Sequence, residues 1–433
     1  MADRPSVSDL ASIAKKEPQN LQLHADKVVH LEFFAGDAAH HKLFRGVRFS
    51  KLEDLNLDAS DDNNDESLEP YLGPSLKTLL FFGGPISDAF LEKLQKSCPH
   101  LEELLIDNPR DLISPEGFLR FLNGARSLKR LTVMYGLERV LTDSVFIALA
   151  TRPGLEVFKP RKLITSNLVS KVVVVDDDHR GGAKRRLFPH LRKLTCAGDA
   201  DGIVGLLPHL SELTHLEASI EGSNSGNSDS DEDPSENEAR DLLLNINRHC
   251  RKLRSLKLGY SQTDKNEIAI SSESLVKLTQ GMEWLEELSI SNEKVKVEGF
   301  NDSHFVSMVR TLPRLEKLQL SFDCDLTEAA LIQLLQVDER AGKNLAELEI
   351  WGCYTLNIPL RDLTGCDAAL PKLQSLVLGM LIMPSPASDP KTSEVVEAAR
   401  LLTMLAPNLE EFDVVLDNAF SDMVHKQLTT APT

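Results

Sequence analysis

Residues 76–107, LKTLLFFGGPISDAFLEKLQKSCPHLEELLID, change their apolar period twice, and that change decides the fold. The opening follows L-x-x-L-x-L, with Leu76, Leu79 and Phe81 in the apolar places. Its last two apolar residues alternate, which is one face of a short strand. From Ile86 the spacing becomes helical, because Ile86, Phe90, Leu94 and Cys98 fall four apart on one stripe. Ser87 or Asp88 stands where a side chain caps the first amides of that helix. LEELLI then restarts the strand pattern at Leu101.

The same pattern recurs along almost the whole chain. Its first positions are Val28, Leu52, Leu76, Leu101, Leu128, Leu155, Leu191, Leu213, Leu253, Leu285, Leu315, Leu345, Leu373 and Leu409. The intervals run from 22 to 40 residues and average about 29. Helix starts follow at LTDSVFIALA (141–150), ISSESLVKL (270–278), LTEAALIQLL (326–335) and ISPEGFLRFL (113–122), where Pro115 is the expected first helical residue. A strand plus a helix is too small to bury its own apolar face, so neighbouring copies must stack into one continuous core. This predicts an α/β leucine-rich-repeat solenoid, a horseshoe with a parallel sheet on the concave face and helices on the convex face. Its limits are an N-terminal cap over 1–27 and a single repeat domain over 28–433.

Three segments break the period. VVVVDDDHRGGAKRR, within a basic insertion at about 159–190, predicts an extra strand and a basic loop. GSNSGNSDSDEDPSENEAR (222–240) has one Ala and no other apolar residue, so it cannot offset its ordering entropy and predicts a disordered acidic loop. LIMPSPASDPKTSE (381–394) predicts a Pro-rich loop before the last helix.

Composition bounds the function. The chain has 433 residues, 66 acidic against 48 basic, and a net charge of −18, which repels phosphate backbones and makes nucleic acid a poor partner. No apolar run approaches a membrane span, and MADRPSVSDL lacks the apolar stretch of a secretory signal. The six cysteines (Cys98, Cys196, Cys250, Cys324, Cys353 and Cys366) form no C-x-x-C pair. A soluble cytoplasmic or nuclear monomer is expected, with no membrane partner.

The pairing of ISDAFLEKLQKSCPHLEELLI with RHCRKLRSLKL, and of LEIWGC with LTDSVFIALATRPGLEVF, resembles the cysteine-containing leucine-rich repeat over roughly residues 28–416. The turns before each L-x-x-L, as in ATRPGLEVF, TLPRLEKL, AALPKLQSL and LAPNLEEF, are most similar to those of fungal members. The resemblance implies a ribonuclease-inhibitor-like horseshoe and a substrate-receptor role in ubiquitin ligation. The 27 residues ahead of the first repeat are too few for an F-box, so the expectation is a substrate-binding part without its own adaptor module. The alternative is a GTPase-activating protein of the leucine-rich-repeat type, with Arg130 or Arg161 supplying charge in trans.

No phosphate-binding, zinc-protease, nucleophile-elbow or calcium-loop motif is present, so no catalytic residue, cofactor or metal is expected. The early histidines His24, His30, His40 and His41 lack a ligand spacing. Cys98 and Cys250, each just before a strand, read as packed thiols. Positions 3, 5 and 7 of each repeat point away from the core. They set Leu80, Phe82, Leu105 and Met134 in an apolar patch beside the basic residues Arg130, Lys159, Arg161 and Lys193, with Trp351 at an acidic end that includes Glu347, Glu349, Glu411 and Asp413. Contiguous apolar residues rimmed by charge predict a protein-binding surface. Ser228, Ser230 and Ser235 each precede an acid by three residues and are phosphorylation candidates.

Overall fold

The computed structural model describes residues 6–34, 38–60, 65–177, 187–221, 234–260, 268–327, 329–330, 342–355, 370–382, 391–416 and 418–430. The chain divides into two compact units, Met1–Cys196 and Ala197–Thr433.

In the first unit the strands are β1 (His30–Glu32), β2 (Asp54–Asp58), β3 (Thr78–Phe82), β4 (Glu103–Asp107), β5 (Arg130–Val133), β6 (Val157–Lys159), the two-residue β7 (Leu163–Ile164) and β8 (Lys193–Gly198), whose first four residues belong to it. They pair in parallel, β1 through β6 in order and then β8, with β7 at its side. The second unit holds β9 (His215–Ile220), β10 (Ser255–Tyr260), β11 (Ile268–Ser271), β12 (Glu287–Asn301), β13 (Lys317–Asp325), β14 (Glu347–Thr355), β15 (Ser375–Ile382) and β16 (Glu411–Val414). There the order is β9, β10, β12, β13, β14, β15, β16, with β11 beside β12, again in parallel.

Apart from β7 and β11, every strand begins two residues after a first repeat position. The backbone explains this regularity. The carbonyl of the second repeat residue accepts two amides of the next repeat, as Glu53 does from Lys77 (2.8 Å) and Thr78 (3.0 Å), and Lys77 does from Glu102 (2.8 Å) and Glu103 (3.0 Å). Parallel strands stacked in this way, each with its repeat leucines buried, make the chain a leucine-rich-repeat solenoid.

The helices form where their caps stand. Ser87 caps Asp88–Ser97, Ser114 caps Pro115–Gly124, Thr142 caps Asp143–Ala150 and Ser271 caps Ser272–Thr279. An acid of one repeat grips the cap of the next. Asp88 accepts from the Ser114 amide (2.8 Å) and hydroxyl (2.5 Å), and Asp302 accepts from the Thr327 amide (2.7 Å) and hydroxyl (2.5 Å). Side chains also close the C-terminal ends. Half-buried Arg152 donates to the carbonyls of Leu122 and Ala125, and Asn247 donates to those of Lys277 (3.1 Å), Leu278 (2.8 Å) and Gln280.

Four expectations change. The run Val172–Val175 is helical, inside Ser166–Asp177, with Leu168, Val169 and Val172 buried on one stripe and Leu168 capped by Thr165 (3.2 Å). The extra strand of the basic insertion is Leu163–Ile164 instead, and residues 178–186 of its basic loop lie outside the described residues. Residues 234–240 are the start of a helix, Pro234–His249, which buries Ala239, Leu242, Leu243 and Ile246; only 222–233 of the acidic segment lies outside the described residues. Thr392–Leu405 is not the last helix, since Ala419–Thr430 follows it. Most of LTEAALIQLL and of the Pro-rich segment lies outside the described residues.

At the N-terminus, Val7–Lys16 starts with a capping box on Ser6 and Asp9 and buries Val7, Leu10 and Ala11. Among the described residues no helix is long and apolar enough to cross a membrane.

Candidate functional site

The outward rows of the first unit's sheet follow from its register. Position 3 runs His30, Asp54, Thr78, Glu103, Arg130, Val157, Lys193. Position 5 runs Glu32, Asn56, Leu80, Leu105, Thr132, Lys159. Position 7 runs Asp58, Phe82, Asp107. Leu80 and Leu105 are therefore direct cross-strand neighbours, with Phe82 two residues along β3. All three are half-buried.

Met134 is displaced from this cluster. It follows β5 and its amide bonds to the Ile106 carbonyl (2.9 Å), so Asp107 stands between it and Phe82 along the row. The expected patch of four thus becomes a core of three with Met134 beyond an acid. Of the basic residues, Arg130 is held by Glu103 at 2.8 Å. Arg161 lies over the Tyr135 ring, 3.6 Å from its centroid, with its Nε 3.7 Å from Glu138. Lys159 is half-buried and Lys193 exposed, and among the described residues neither has an ion-pair partner.

Two features beside the cluster were not singled out in the sequence. Tyr135, after β5, is 52% exposed, and its amide bonds to Asp107 at 3.1 Å. The loop after β4 holds Asn108, Arg110 and Asp111 at positive φ (50°, 55° and 52°), a costly conformation for non-glycine residues. Arg110 donates to the Ser60 carbonyl, and Leu112 is left 51% exposed. Only the turn dipeptide Asn108-Pro109 marked this loop in the sequence.

The second unit's sheet face is different in kind. Ser255 donates to Glu287 (2.6 Å), and Lys257 pairs with the same carboxylate (2.8 Å). Ser289 donates to Gln319 (2.6 Å), Gln319 to Glu349 (3.0 Å), Lys317 to Glu347 (2.6 Å) and Ser375 to Glu411 (3.0 Å). Burial raises the Glu287 carboxyl, but hydrogen bonds from Lys257 and Ser255 and the Lys257 and Lys317 charges outweigh it and leave it below the usual range. A hollow of about 120 Å³ lies among Glu287, Lys317, Glu347, Glu349 and Val377. Trp351, expected at the acidic end, is in this unit, half-buried, with its indole N–H on Glu349.

The early histidines do separate work. His41 is buried, 2.9 Å from the Tyr71 hydroxyl and 3.1 Å from the Asp58 carbonyl, and His30 pairs with Asp54 at 2.5 Å. Burial pushes the Cys98 thiol up to about 11 and the Cys250 thiol up to about 12, as packed thiols require. Ser235 falls in the first turn of Pro234–His249, while Ser228 and Ser230 lie outside the described residues.

No protein-family model matches the chain, and no curated protein matches it. Among solved structures it is similar to a chain in the crystal structure of the Rad7 and Elc1 complex of yeast, at 18% identity and a TM-score of 0.40, covering 81% of this chain and 79% of that one. It is also similar to a leucine-rich-repeat protein of Leptospira interrogans, at 13% identity and a TM-score of 0.43, covering 96% of this chain and 91% of the other. Likenesses this distant carry nothing about function; the class is defined by the repeat and its parallel sheet.

Proposed function

We propose that the protein is a non-catalytic recognition scaffold that binds another protein on the sheet face of its first unit. The observation behind this is the register contact of Leu80 with Leu105 beside Phe82, on a face whose counterpart in the second unit is closed by hydrogen bonds and ion pairs. Half-exposed leucines and a phenylalanine offer a partner ~1.5–3 kcal/mol for each large side chain fully buried. The strained loop 108–111 and exposed Leu112 and Tyr135 extend the surface at the ends of β4 and β5.

The resemblance of the repeats to those of F-box receptors supports a finer reading: the chain is the substrate-binding part of an F-box-type ubiquitin ligase receptor, working in the cytoplasm or nucleus. A GTPase-activating role gains no support, because Arg130 and Arg161 are both engaged within the chain. The test is affinity capture with the full chain and a Phe82→Asp/Leu105→Asp variant. The variant is expected to lose its specific partner while keeping its circular-dichroism spectrum and cooperative unfolding. Capture of an unchanged set of proteins by a folded variant would contradict the reading, and capture of no ubiquitin-ligase component or ubiquitinated substrate by the native chain would contradict its finer part.

A further inference from the structure

We infer that the segment recognised by this face is acidic, and that its acidic side chains stand three to four residues from an apolar anchor. This rests on the proposed use of the first unit's sheet face. The observation is that Lys159 and Lys193 are left without ion-pair partners among the described residues, in a chain of net charge −18. Elsewhere cations on the sheet faces are matched: Arg130 by Glu103, Lys257 by Glu287, Lys317 by Glu347. Lys193 is opposite Val157, and Lys159 follows two residues later on the same strand and the same face. Like charges so placed repel.

Register sets the spacing. Lys159 in β6 is two strand steps from Leu105 in β4, and Lys193 in β8 is three. At ~4.8 Å per step these are roughly 10 and 14 Å across the sheet, which a segment advancing about 3.3 Å per residue covers in about three and four residues, and the long flexible lysine stems take up the different directions in which adjacent side chains leave the segment. A segment lying across the strands would thus seat an apolar side chain on Leu80, Phe82 and Leu105 and bring carboxylates or phosphates to the two lysines. A polynucleotide fits less well. Asp58, Glu103 and Asp107 lie on the same face and would repel a phosphate chain, and the apolar cluster would go unused.

Peptide display from a random library tests this, using the full chain as bait beside two variants, Lys159→Glu/Lys193→Glu and Leu80→Asp/Phe82→Asp. Both lysines are at the surface, and an unchanged melting temperature checks that the first variant folds. Peptides selected on the native chain should carry Asp or Glu three to four residues from a large apolar residue. They should bind the lysine variant at least tenfold more weakly and weaken as salt rises. Selected peptides without acidic bias, or with equal affinity for the lysine variant, would overturn the inference. If those peptides still fail on Leu80→Asp/Phe82→Asp, the binding face survives and only the acidic partner is lost; indifference to both variants would sink both. Displacement of the peptides by a single-stranded oligonucleotide at equal concentration would point to a phosphate polymer and also overturn it.

Discussion

Cys98 ends the helix Asp88–Ser97 and Cys250 follows the helix Pro234–His249, each in the turn that leads into a strand. Both thiols are buried, and at pH 8 a group titrating at about 11 is ionised only to ~0.1%. Iodoacetamide at pH 8 should therefore leave both unmodified in the native protein and label them rapidly in denaturant, as read by peptide mass. Rapid native labelling of either would show that the turn opens. These roles were legible because a small residue before a strand has one place to go. Tyr135, Leu112 and the left-handed residues Asn108, Arg110 and Asp111 were not, since no pattern distinguishes an exposed loop leucine from a buried one until neighbouring repeats are placed.

The elements were legible where period and caps agreed. Strand positions came directly from the leucines because a one-residue slip would turn every buried leucine to solvent. The helix Ser166–Asp177 was misread because four valines favour a strand locally, whereas burial of Leu168, Val169 and Val172 on one stripe favours a helix. Helix Pro234–His249 was hidden under the acidic run that supplies its first turn. Where strands approach closely, one residue decides the packing. A Cβ on Gly379 in β15 would lie 1.8 Å from the Trp351 carbonyl oxygen, beside the register shift that follows Ile350. Gly379→Ala should therefore cost about 2–3 kcal/mol or more in urea unfolding. A change within 0.5 kcal/mol would show that β14 and β15 sit farther apart.

Across the molecule, the two units share one repeat but use their sheet faces differently. The second unit ties its acids to Ser, Lys, Gln and Trp side chains. The first leaves an apolar row between acids at its start and lysines at its end. The candidate residues were readable from repeat positions 3, 5 and 7, but which of them meet was not. That depends on whether Asp107 or Leu105 stands opposite a given neighbour, and only register tells. Side-chain footprinting of the complex with its captured partner tests the central claim most directly, by lysine acetylation and carboxyl labelling of free and bound protein. Labelling of Lys159, Lys193 and Asp107 should fall several-fold on binding while Lys257, Lys317 and Glu411 are unchanged. Protection confined to the second unit's residues, with the first unit's face labelled as in the free chain, would contradict it.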